Sequence, residues 1–80
     1  MTIEEFKMLP EQRKKEILVD ADKVAELVEE SSRNELFQID DFFVEVQISF
    51  LKRYRKILDI YSKINLPEIY SGKALKKFAF

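Results

Sequence analysis

The chain contains no histidine and no cysteine. Those absences remove imidazole general bases, thiol nucleophiles and every His/Cys metal site. Glycine occurs once, as Gly72. Phosphate-cradling loops and dinucleotide-binding turns need several glycines at fixed offsets, so neither is present as an intrachain motif. There is no long apolar run, and Met1-Thr2-Ile3-Glu4-Glu5 is acidic where a secretory leader would be basic. Neither a signal peptide nor a membrane span is expected. A cysteine-free chain is compatible with a reducing compartment. The expectation is a cytoplasmic domain with no cofactor, no metal and no membrane partner.

What is present is charge, unevenly placed. Residues 1–45 carry six Lys/Arg against thirteen Asp/Glu, a net of −7; residues 46–80 carry eight against two, a net of +6. Such a split raises oppositely charged proteins, nucleic acid and membrane surfaces as partners. With 46% apolar and 36% charged residues, the composition is that of a folded chain. Eighty residues make a single domain, 1–80, with a small core. Seven Phe and three Tyr make pairing with a second copy a natural way to complete it.

Thr2-Ile3-Glu4-Glu5 fits a capping box that opens a short helical turn through Lys7. Leu9-Pro10-Glu11 restarts the chain, because proline suits the first helical position and disfavours helix in the residue before it. From Pro10 to Glu30 the apolar residues Ile17, Leu18, Ala21, Val24, Ala25 and Val28 recur at spacings of three and four. That predicts one amphipathic helix over 10–30, with Glu11 and Lys15 able to pair on its outer face. Ser31-Ser32-Arg33-Asn34 reads as a loop.

The period then changes. Val44, Val46 and Ile48 alternate with Glu45, Gln47 and Ser49, and Leu36-Phe37-Gln38-Ile39 precedes them across Asp40-Asp41. This predicts a β-hairpin with a turn at the two aspartates. Phe42 and Phe43 must point to opposite faces, so one enters the core and the other offers an interface unless both faces are covered. Residues 51–64 carry both a helical stripe (Leu51, Tyr54, Leu58, Tyr61) and a strand-forming run (Lys56 to Ser62). Asn65-Leu66-Pro67 ends either one. A short helical turn follows to Tyr70, and Lys73 to Phe80 forms a basic-aromatic tail.

Thr2-x-Glu4-Glu5-Phe6-x-x-Leu9-Pro10, Leu36-Phe37-x-Ile39-Asp40-Asp41-Phe42-Phe43-Val44-Glu45-Val46, Ile57-x-x-Ile60 and Tyr70 together resemble a group of small uncharacterised bacterial proteins. In that group a leading helical segment precedes a three-stranded meander and a short C-terminal helix. The resemblance implies an α+β fold here, with the N-terminal helix packed on a small antiparallel sheet and residues 56–62 as its third strand. It implies no function. One departure is Leu51-Lys52-Arg53-Tyr54-Arg55-Lys56, which stands where a polar Asn- or Gly-containing turn is expected.

That departure is also the candidate binding site. In Lys52, Arg53, Tyr54, Arg55 and Lys56, four cations surround one aromatic ring. The pattern suits an acidic protein partner, or single-stranded nucleic acid with Tyr54 stacking on a base. The plainer reading is a solvated turn whose cations balance the acidic half. Asp20 with Asp22, Glu26 with Glu29 and Glu30, and Asp40-Asp41 lack the spacing of a calcium loop and read as surface carboxylates. Glu45 is the one charged residue of its strand, expected in solvent or paired with a cation from the second half. No second acid is identifiable to complete a catalytic pair. The expected function is therefore a non-catalytic protein-binding or self-associating module, with nucleic-acid binding through 52–56 as the alternative.

Overall fold

The computed structural model of the chain describes residues 1–71; the basic-aromatic tail lies outside them. Two helices, α1 (Ile3–Lys7) and α2 (Glu11–Asp20), lead into four strands, β1 (Asp22–Val28), β2 (Ser32–Ile39), β3 (Phe42–Ser49) and β4 (Arg55–Ser62). A 3-10 turn (Lys63–Asn65) and a short helix α3 (Glu68–Ser71) follow. The strands form one antiparallel sheet in the order β1-β2-β3-β4.

The α+β class and the helical start agree with the sequence. Thr2 Oγ1 accepts from the Glu5 amide at 3.1 Å while the Glu5 carboxylate accepts from the Thr2 amide at 2.7 Å, completing the capping box. Asp40 sits at φ 52, in the left-handed region that aspartate tolerates in a tight turn. Residues 55–62 form a strand, as the resemblance implied.

The reading of residues 10–34 fails in two places. The helix over 10–30 ends at Asp20, and residues 22–28 are a strand, so the sheet has four strands and not three. The helix ends where Ala21 takes extended backbone, φ −77 and ψ 153, and a bulge between Lys23 and Ala25 then leaves Val24 outside the pairing. Val24 and Ala25 are consequently both buried. A bulged strand loses its strict alternation, and its apolar residues then fall into register with the three-and-four spacing of Ile17, Leu18 and Ala21. The loop proposed for residues 31–34 is also shorter than expected. Ser32, Arg33 and Asn34 belong to β2, paired with Ser49, Ile48 and Gln47; the Arg33 side chain meets Glu26 and Glu35, and that of Asn34 donates to Glu45.

Both sheet faces are covered. On one, Phe37, Ile39, Phe42, Val44 and Val46 pack against Phe6 of α1 and Leu18 of α2. The Phe6 and Phe42 rings meet at a centroid distance of 5.8 Å, tilted by 59°, a favoured arrangement for aromatic pairs. On the other face Leu36 and Phe43 pack with Val24, Ala25 and Tyr70 of α3. Phe42 and Phe43 are each 1% exposed. The chain itself covers both faces, the condition under which neither of them is left to offer an interface.

Candidate functional site

With the strands in chain order, β4 has a neighbour on one side only among the described residues, so its outer edge is open to a further strand, although the Ile60 amide already donates to Asp59 Oδ1 at 2.8 Å. The basic-aromatic run stands at the start of this edge. Ser49 donates its amide to the Tyr54 carbonyl at 2.9 Å, closing the β3–β4 connection, and Ser49 Oγ accepts from the Lys52 amide at 3.2 Å. Arg53 takes φ 53 to complete the bend.

Arg53, Tyr54, Arg55 and Lys56 line a cleft of about 420 Å³. Its opposite wall is α2, through Glu11, Lys15 and Val19, and Val46 and Ile57 of the sheet also line it. Val19 is 78% exposed, an apolar side chain left open beside the edge. Lys52 lies in the loop and does not line the cleft. Sequence reading thus located four of the lining residues. It missed those from α2, because nothing in the sequence shows which helix flank crosses the sheet edge.

The cations of this run are not equivalent. Arg55 Nη2 lies 3.9 Å from Glu35 Oε1, and the same carboxylate meets Lys23 at 3.4 Å and Arg33 at 3.2 Å. Glu35 is buried, and a buried carboxylate is costly unless cations surround it. Glu26 joins the group through Lys23 at 3.8 Å and Arg33 at 3.7 Å. Arg55–Glu35 therefore links the acidic and basic halves of the chain. Within α2, Glu11 pairs with Lys14, and Glu16 with Arg13.

Tyr54 is likewise engaged. Lys56 Nζ stands 5.5 Å from its ring centroid, and its hydroxyl donates to Gln47 Oε1 at 3.4 Å. The Lys56 charge over the ring face is a cation–π contact. Among the described residues, Arg53 and Lys52 are the cations of the run with no ion pair or ring contact.

A second polar cluster lies on the opposite face. Glu45, expected in solvent or beside a cation, is buried, and its partners among the described residues are neutral donors. Tyr61 donates to Oε1 at 2.8 Å, while Tyr70 and Asn34 donate to Oε2, Asn34 at 3.3 Å. The phenol pKa values of Tyr61 and Tyr70 are raised well above the usual value, first by burial and then by the hydrogen bond and negative charge of Glu45. The sequence held the signal for this cluster. Phe43 and Glu45 share a face, so a buried Phe43 implies covered ground around the carboxylate, which must then find donors. Asp59 is the register partner of Glu45 across β3 and β4, a neighbouring acid that the sequence did not identify.

Among the described residues, no group of three or more acidic side chains is placed to hold a metal ion. Among them, too, no helix is long and apolar enough to cross a membrane. No protein-family model, curated protein or solved structure matches the chain.

Proposed function

We propose that this domain is a non-catalytic protein-binding module that takes an extended acidic segment along the edge of β4. The observation behind this reading is the position of Arg53, with Lys52 beside it, at the head of a strand edge that also borders the α2 cleft. An added strand gains affinity from main-chain hydrogen bonds, and alternate side chains give specificity. Its acidic groups would meet the cations, and its apolar ones the exposed Val19 and Leu58.

Single-stranded nucleic acid is the weaker reading, because its anchors are already engaged. Lys56 occupies one face of Tyr54, and Arg55 is held by the buried Glu35. The test is a titration of the labelled domain with a peptide of alternating Glu and Val, followed by amide chemical shifts. Shifts concentrated on residues 53–60 and weakened by salt support the reading. An unresponsive β4 edge overturns it, and binding of an oligothymidylate in place of the peptide revives the alternative.

A further inference from the structure

The two outer strands of the sheet carry opposite charge. Around β1 stand Asp20, Asp22, Glu29 and Glu30, all exposed. Around β4 stand Lys52, Arg53, Lys56 and Lys63, all exposed as well; Asp59, an exposed acid between them, is level with Ala25 and not with an acid of β1.

Their positions along the strands match. Following the register across the sheet, Asp22 is level with Gln38, Phe43 and Tyr61, while Val28 is level with Arg33, Ile48 and Arg55. If a second copy continues the sheet in that register, its β1 lies against β4 of the first. The pairing is antiparallel, because β1 and β4 run in opposite directions in a four-stranded meander. Asp20 and Asp22 of the added copy then approach Lys63. Glu29 and Glu30 approach Lys52, Arg53 and Lys56. Both ends of the added strand find opposite charge.

Alternative pairings do not share this property. Two β4 edges set antiparallel bring Arg53 and Lys56 of each copy towards Lys63 of the other. Two β1 edges bring Asp20 and Asp22 towards Glu29 and Glu30. Like charges so placed are destabilising, and that repulsion selects one pairing over the others.

We propose that the acidic segment taken by the β4 edge is β1 of a second copy of this chain, joined head to tail. The inference rests on the binding role assigned above to that edge, and it names the occupant. Such an interface is heterologous, so it propagates to longer assemblies unless it closes into a ring. The bulges at Val24 and Leu58 interrupt each edge. Bulges and edge charges oppose indiscriminate strand pairing, so the association is reversible and depends on salt.

Sedimentation equilibrium of the full chain tests this, with salt varied from about 0.01 M to about 1 M, where the Debye length falls from about 30 Å to about 3 Å. The expected average mass climbs above the 9.6 kDa of one chain at low salt and returns to it at high salt. Two charge-reversed variants sharpen the result. Arg53→Glu with Lys56→Glu sets two acids on the β4 edge against Glu29 and Glu30 of the next copy, and Glu29→Lys with Glu30→Lys sets two lysines on the β1 edge against Lys52, Arg53 and Lys56. Each variant alone is expected to stay monomeric, and an equal mixture of the two is expected to associate. These side chains are exposed, so both variants should keep the wild-type far-UV spectrum. A wild-type monomer at low salt, or association of either variant alone, overturns the inference. Retained binding of the Glu-Val peptide in that case leaves the binding role standing, whereas loss of both removes it too.

Discussion

Tyr70 donates its hydroxyl hydrogen to Glu45, tying the last described helix to the third strand. Both groups are buried, so neither is easily replaced by water as a partner. Hydrogen bonds to a charged acceptor contribute about 1.5–3 kcal/mol. Tyr70→Phe should therefore lower the urea unfolding free energy by about that amount, with an unchanged denaturant slope. Combined with Glu45→Gln, the two effects should fall short of additivity, because both changes act on the same bond: glutamine still accepts, but the bond from Tyr70 is then no longer charge-assisted.

The same cluster gives the domain an alkaline limit. Unfolded tyrosines ionise near 10, whereas Tyr61 and Tyr70 hold their protons to higher pH in the fold. Above pH of about 10 the unfolded state binds fewer protons than the native state, so stability falls with rising pH. Below that it is fully present. Phenolate absorbance followed with circular dichroism should show Tyr61 and Tyr70 ionising together with unfolding.

Removal of Glu35 leaves Lys23, Arg33 and Arg55 without their shared acceptor. All three cations are more than one third exposed, so water recovers part of the loss. Glu35→Ala should cost about 1–2 kcal/mol, and Arg55→Ala about 0–1 kcal/mol. Thermal melts at low and high salt should show the penalty of the first shrinking as salt rises.

Arg53 combines two roles that pull apart. Its φ of 53 is unfavourable for any residue with a Cβ and free for glycine. Arg53→Gly should raise the unfolding free energy by up to about 1 kcal/mol, after the greater unfolded-state freedom of glycine is subtracted. It should also weaken binding of the acidic peptide. A gain in melting temperature with unchanged affinity would remove Arg53 from the binding surface.

Local chemistry in this sequence was easier to read than strand count. Thr2 and Glu5 announced the capping box, and Asp40 the turn, because each acts through backbone groups a few residues away. Val24 misled because a bulge is set by what packs on it, here the second face with Leu36 and Phe43, and no local spacing records that. The basic run was visible as a candidate, but its environment was not. The engagement of Arg55 by Glu35 and the approach of Val19 to the cleft both arise from pairings between distant segments. Glu45 was misplaced for a related reason: its donors Tyr61 and Tyr70 lie beyond the adjoining hairpin.

The meander has a kinetic side. Each described strand pairs only with its neighbours in the chain, so each ladder closes a short loop, and the entropic cost of closure grows with loop length. Proteins built from local pairings fold faster than those with distant ones. In this chain the distant step is the docking of Phe6 onto Phe42. Refolding should thus begin with zipping of the β2-β3-β4 hairpins and finish when α1 and α2 settle onto their face. Probes on Phe6 would then report the late event, and substitutions there should mainly speed unfolding while leaving the folding rate nearly unchanged.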